Sequence, residues 1–224
     1  MEVQIKHKPA YSLAVVTLAA NEEVKVEPGA MVSYSDGITT ETKAEGGFFG
    51  GLKRVVAGES FFQNTFKAPA QGGELTLAPS LPGDMLLIEI GAGAFMLQSG
   101  AYVASEMGVA FDTKWGGSKG FFGSGNLILL RVTGSGTVLA SAYGAIEERV
   151  LQSGQRYTVD TGHIVGFEES VSFQVKKIGN WKSTILGGEG LVCELTGPGR
   201  VLMQSRSEEA FLGWLLPKIP TKSN

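Results

Sequence analysis

The sequence predicts an all-β chain built from three copies of one β unit in a pseudo-threefold arrangement, finished by one short C-terminal helix. Three observations lead there. Glycine accounts for 32 of 224 residues, about twice average usage and without a collagen period, so turns and bulges are many and strands short. The same glycine spacing recurs three times, with Gly29 and Gly37, Gly100 and Gly108, and Gly154 and Gly162 each eight residues apart. The stretches between them are apolar or alternating, which is strand chemistry.

The first element of each copy is a turn. Val26-Glu27-Pro28-Gly29, Leu97-Gln98-Ser99-Gly100 and Leu151-Gln152-Ser153-Gly154 align without gaps. A glycine after Pro or Ser supplies the positive φ that a turn needs. A strand follows in each copy, 30–36, 101–107 and 155–161, about the length that crosses a sheet. After the second glycine comes another strand, at 38–43, 109–114 and 163–167. Next stands a glycine-rich excursion, at 46–51, 116–123 and 186–190. A hairpin is then expected to close each unit. Its arms are Ser60 to Lys67 with Glu74 to Leu77, Asn126 to Val132 with Thr137 to Ala140, and Leu191 to Leu195 with Arg200 to Met203, joined by glycine-rich turns. Copy boundaries fall near Pro79–Pro82 and Tyr143–Gly144, giving repeats over roughly 1–80, 81–142 and 143–206 within one domain, 1–224. A half-buried unit repeated in this way needs its neighbours to complete a core.

The last element is a helix. Ser207 is placed to cap it, and Glu208 and Glu209 suit the positive end of its dipole. Ala210, Phe211, Trp214 and Leu215 share one face and Pro217 stops it. About ten residues do not hold as an isolated helix, so this one docks on its own sheet or on a neighbouring subunit, with a frayed tail to 224.

Composition bounds function. A hydrophobic content of 43% with 18% charged residues argues against disorder. A net charge of −3 gives no basic field for a nonspecific nucleic-acid binder. The one cysteine, Cys193, reads as a small buried apolar residue in a strand. The start, Met1-Glu2-Val3-Gln4-Ile5-Lys6, shows no signal-peptide pattern and no run reaches about 18 apolar residues, so a cytoplasmic location is expected.

Catalytic patterns are sparse. His7 and His163 are the two histidines, far apart in sequence, and no cysteine cluster exists, so a protein-ligated metal is not expected. His163 with Asp160 lacks a nucleophile-elbow serine. The pairs Glu147-Glu148 and Glu168-Glu169 are sequence neighbours, which point to opposite faces of a strand. Gly91-Ala92-Gly93 lacks the third glycine of a dinucleotide fingerprint, and Lys119 is followed by Gly where a phosphate loop needs Ser or Thr. The expectation is no enzyme, no cofactor and no metal.

Paired phenylalanines stand out instead. Phe48-Phe49 and Phe121-Phe122 occupy matching loops. Burying one Phe contributes about 1.5–3 kcal/mol, so four left in water would forgo a domain's worth of stability. Three destinations compete: the chain's own sheet, a subunit interface, or a membrane surface. Lys53, Arg54 and Lys119 lie close by, which suits the last two. With Phe211 and Trp214 they form the candidate contact set.

The Pro28-Gly29-Ala30-Met31-Val32 turn, the diphenylalanine loops within Gly46–Gly51 and Gly120–Gly123, Gly187-Gly188-Glu189-Gly190-Leu191 and the Pro217-containing tail together resemble the altered-inheritance-of-mitochondria family. Its bacterial members form a domain of unknown function. The resemblance implies a fold like the tryptophan RNA-binding attenuation protein: three β-sandwich units per chain, related to the double-stranded β-helix. It implies homo-oligomers, as trimers or rings, and inner-membrane organisation for fungal members. It carries no catalytic residues. The expected function is a non-enzymatic oligomeric β scaffold touching membrane or a membrane protein through the Phe-Phe loops, the alternative being an RNA or small-ligand binding module. The position two after the first glycine holds Met31, Tyr102 and Arg156, so no repeated cation supports nucleic acid as the partner.

Overall fold

The computed structural model describes residues 1–43, 63–112, 127–177 and 191–220. They hold nineteen strands and one α-helix, joined by short 3-10 turns. The first stretch of chain forms β1 (Glu2–Lys6), β2 (Leu13–Leu18), β3 (Glu23–Val26), β4 (Met31–Tyr34), β5 (Thr39–Lys43), β6 (Gln63–Lys67) and β7 (Gly73–Leu77). The second forms β8 (Met85–Ile90), β9 (Phe95–Gln98), β10 (Tyr102–Glu106), β11 (Val109–Asp112), β12 (Leu129–Gly134) and β13 (Gly136–Ser141). The third forms β14 (Ile146–Leu151), β15 (Arg156–Asp160), β16 (Ile164–Glu168), β17 (Ser172–Lys177), β18 (Leu191–Thr196) and β19 (Gly199–Gln204). The period of two decides which residues turn inward. In β2, Ala14, Val16 and Leu18 are buried while their neighbours face outward, and Val24 and Val26 do the same in β3.

All strand pairs are antiparallel. They build four sheets, ordered β1-β2-β7-β4, β5-β6-β3-β10-β13-β8, β11-β12-β9-β16-β19-β14 and β15-β18-β17. From β2 to β5 consecutive strands alternate between two sheets. β2 and β4 lie in the first, β3 and β5 in the second, so the turns at Gly29 (φ 92°) and Gly37 (φ 83°) carry the chain across the core rather than along one sheet. Two face-to-face layers then share an apolar interior.

That crossing overturns the expected closing hairpins. β6 pairs with β3 and β5, whereas β7 pairs with β2 and β4. β12 and β13, and β18 and β19, are likewise separated into different sheets. A glycine-rich turn between alternating runs fixes where the chain reverses. It does not fix the partner, and here each arm already has strands on both sides. The hairpins that do form are β1–β2, β5–β6, β11–β12 and β17–β18.

The expected match of Gly154 with Gly29 and Gly100 is not kept in the strand pairing. The segment after Gly154 becomes β15, and β15 pairs with β18 as β3 pairs with β6 and β9 with β12. Its last inward residue, Val159, therefore matches Val26 and Leu97, and the matching turn glycine is Gly162. Chain length agrees: five residue steps separate Val26 from Met31, Leu97 from Tyr102, and Val159 from Ile164.

The core is divided. One cluster gathers β2, β3, β6 and β7 residues with Met85, Val103, Ala104 and Leu139. A second joins β8 to β13 residues with Val165 and Leu202. A third combines Met96, Leu127 and Leu129 with residues between 151 and 203. Each joint between clusters is a strand pair, β10 on β3 and β16 on β9. At the first joint the Tyr102 hydroxyl, fully buried, accepts from Gln63 Nε2 at 2.8 Å and donates to Lys25 O at 3.1 Å, with Ser105 Oγ at 3.1 Å. Beside it, Met1's amine bonds Glu22 and Glu106 at 2.6 and 2.8 Å.

The helix α1 runs over Glu208–Leu215, with Ser207 Oγ accepting from Ala210 N at 3.3 Å as its cap. None of its residues is buried.

Candidate functional site

The ends of β3, β9 and β15 and the start of α1 surround a cleft of about 310 Å³, within the size range of small-ligand sites. Glu27, Gln98, Gly100, Thr161, Gly162 and Gln204 line it, with Ser80 and Leu81 from the β7–β8 connection. Alternation turns Glu27 and Gln98 toward it. Val26, Leu97 and Val159 point into the core, so Glu27, Gln98 and Asp160, one step on, point away from it.

Asp160 and Glu27 meet different fates. Asp160 Oδ1 accepts from Gly162 N at 2.8 Å. A side chain at Gly162 would come within 2.5 Å of Ser207 Oγ, so it would displace the hydroxyl that caps the helix. Gln204 is also committed, its amide donating to Gly162 O at 2.8 Å and its oxygen accepting from Tyr143 N at 2.9 Å. Glu27 is held only by its backbone, N–H to Val103 O at 2.8 Å. Its carboxyl has no ion pair or hydrogen bond among the described residues, and burial pushes its pKa up from the usual 4.5 to about 7. A half-buried acid that changes charge near neutrality suits a ligand carrying a positive charge or hydrogen-bond donors.

Among the described residues no histidine, lysine or cysteine lines the cleft. His7 sits in the β1–β2 turn with φ 59°. His163 Nδ1 is 2.7 Å from Gln204 O. Cys193 is fully buried, and burial pushes its thiol to about 12, which leaves no thiolate at neutral pH. Among the described residues no group of three or more His, Cys, Asp or Glu could hold a metal.

Of the contact set expected from the sequence, Phe48, Phe49, Phe121 and Phe122 lie outside the described residues. Phe211 and Trp214 are described and brought together. Their rings stack at 6.2 Å, Phe211 meets Tyr143 edge-on at 6.0 Å, and Lys218 Nζ stands 5.3 Å from the Trp214 ring centre. Trp214 remains 60% exposed. Glu27 was missed as a site residue because it stood inside a turn motif. The usable signal was a polar residue directly after a buried apolar one, at Glu27, Gln98 and Asp160.

Among the described residues no helix is long and apolar enough to cross a membrane. An uncharacterized protein of Streptococcus pyogenes serotype M6 is 30% identical over 234 residues, covering 100% of this chain and 93% of that protein. The crystal structure of a Streptococcus pyogenes protein superposes with a TM-score of 0.81 at 27% identity, covering 97% of this chain and 99% of the other. The family described as Mitochondrial biogenesis AIM24 matches residues 3–206, nearly the whole described fold, and the chain belongs to that family.

Proposed function

We propose that the chain is a non-enzymatic, cytoplasmic β scaffold that assembles with copies of itself. Each chain then contributes three sandwich units of the tryptophan RNA-binding attenuation protein type. The recurrence of one pairing scheme supports the repeat: β2–β7, β3–β6, β4–β7 and β5–β6 return six strands later as β8–β13, β9–β12, β10–β13 and β11–β12, and again as β14–β19, β15–β18, β16–β19 and β17–β18.

The observation that carries self-assembly is the uncovered helix. α1 and the turn after it expose Phe211, Leu212, Trp214, Leu216 and Ile219. An eight-residue helix does not persist in water without tertiary cover, and its only ring contact with the body is Phe211 on Tyr143 among the described residues. A second copy supplies the missing cover. Light scattering tests this: the chain is expected above its 23.6 kDa mass, and Phe211→Ser with Trp214→Ser lowers the mass. A wild-type monomer at every concentration overturns the reading. Flotation of the double variant and wild type with anionic liposomes separates the membrane alternative, in which the wild type alone would float.

A second reading, small-ligand binding, is favoured by the Glu27 cleft. It predicts a thermal shift with small amines that Glu27→Gln abolishes. Nucleic acid is a poor partner, since the positions matched by pairing, Met31, Tyr102 and Ile164, offer no cation.

A further inference from the structure

The cleft at the ends of β3 and β9 holds three acceptors that have no partner among the described residues. The Glu27 carboxyl is one. Gln98 is the second. It stands on β9 where Glu27 stands on β3, one step past Leu97 and Val26, which face Gly166 and Ala104 at the two joints. Its side-chain amide makes no hydrogen bond among the described residues. Gly100 leaves room for it, since a side chain there would come within 3.1 Å of Gln98 Oε1. Ser141, the last residue of β13, is the third. It lines the cleft and is only 5% exposed, yet its hydroxyl has no partner among the described residues. Buried side-chain polar atoms are paired in the large majority of cases, so an unpaired hydroxyl facing a cleft points to a group that enters. Asp160 differs, because its carboxylate is spent on Gly162 N at 2.8 Å.

Charge around these acceptors is of one sign. Glu208 and Glu209, exposed in the first turn of α1, line the same cleft as Glu27. No lysine, arginine or histidine does so among the described residues. Two glutamates outweigh the half charge at the positive end of a helix, so the cleft repels an anion. A single metal ion does not fit, because the three carboxylates form no group that could hold one. They are too far apart to share one ion. Separated negative charges suit a ligand whose positive charges are separated too. Leu81, Leu127 and Ile164 add an apolar wall, against which a chain of methylenes is favourably removed from water.

We infer that the cleft binds an aliphatic diamine, with one ammonium group at Glu27 and the other at Glu208 and Glu209. An ammonium group carries three donors and no acceptor. Glu27 supplies the countercharge at the inner end, and Gln98 Oε1 and the Ser141 hydroxyl are the neutral acceptors beside it. The methylenes lie on the apolar wall. The outer ammonium stays in water beside exposed carboxylates, so it adds less to affinity than the inner one. A monoamine keeps the inner contacts and loses the outer pair. A diol of the same length keeps the shape and loses both charges. This inference rests on the small-ligand reading of the cleft and names the class of ligand.

The test is titration calorimetry on the full chain with pentamethylenediamine, pentylamine and the terminal pentanediol. The diamine is expected to bind about two- to fivefold more tightly than pentylamine, and the diol not to bind. Glu27→Gln keeps the shape of the side chain and is expected to weaken the diamine about tenfold or more. Ser141→Ala removes one neutral acceptor and weakens it by about threefold to tenfold. Glu208→Gln with Glu209→Gln brings the diamine down to the affinity of pentylamine. Melting temperatures of the variants, expected no lower than that of the wild type, separate lost binding from lost folding. Equal affinity for diamine and monoamine, or a diamine affinity that the double variant leaves unchanged, overturns the two-charge ligand and leaves the small-ligand reading standing. Binding of the diol that Glu27→Gln leaves intact overturns the cationic class and again leaves that reading standing. No binding of any probe, by calorimetry or by thermal shift, overturns both.

Discussion

β4 and β10 have the same geometry and opposite surroundings. Each carries a register irregularity at the same point, β4 against β7 and β10 against β13, yet every residue of β4 is exposed while Tyr102 to Ser105 in β10 are buried. Val32 and Val103 are the same side chain at the same place, 55% and 0% exposed. What differs is the neighbour. Beyond its pairing with β13, β10 has β3 on its second edge, whereas β4, paired with β7, has no strand on its second edge among the described residues. In this fold the burial of a junction strand is conferred from across the joint, and its own sequence is adapted to receive it.

Matched substitutions break that comparison where it is strongest. Val103→Asp places an unpaired charge in a closed core and is expected to cost more than about 4 kcal/mol, enough to abolish cooperative unfolding in urea. Val32→Asp is expected to change monomer stability by less than about 0.5 kcal/mol. If the two denaturation curves shift alike, the contrast is wrong. Phe167→Ala empties a fully buried site in β16 and should cost about 3–5 kcal/mol. Tyr34→Ala, its counterpart in β4, should cost under about 1 kcal/mol in the monomer, measured by the same midpoint.

Smaller effects probe the first joint itself. Tyr102→Phe deletes a hydroxyl that serves Gln63, Lys25 O and Ser105. Stranding those groups should lower stability by about 1–3 kcal/mol without changing the fold seen by circular dichroism. Glu27, beside the same joint, gives a pH signature. Its folded pKa of about 7 lies above the usual 4.5, so folding disfavours the ionised form. The stability it permits is whole below pH 4.5 and is lost as pH rises through 7. Glu27→Gln should therefore match wild type in acid and exceed it by about 1–3 kcal/mol at about pH 8. A pH-independent difference would contradict this. Last, Cys193 should resist thiol reagents in the native state and react in denaturant, in keeping with full burial.

Strand identity was legible in the sequence because strand chemistry is local. Leu191 to Leu195 and Arg200 to Met203 read as strands from their own residues. Helix capping was legible for the same reason, and Ser207, Glu208 and Pro217 stand where expected. Strand partnership was not. Gly134, Ser135 and Gly136 mark a reversal, and nothing in them says that β12 and β13 enter different sheets. Matching the third copy by glycine spacing failed because Gly154 and Gly162 both sit in genuine turns eight residues apart, and only hydrogen bonding distinguishes them. The cleft was hidden by distance, since Glu27, Gln98 and Gln204 meet across most of the chain.

The Tyr102 hydroxyl bears on how the molecule comes apart. A protein assembled from stacked segments, each with its own interior, is prone to melt one segment at a time. Here a single oxygen ties the backbone of β3, the side chain opening β6 and the strand arriving from the next segment. Loosening either segment strands polar groups inside the other, so the first two are expected to unfold together, in a transition sharper than the length of either would give.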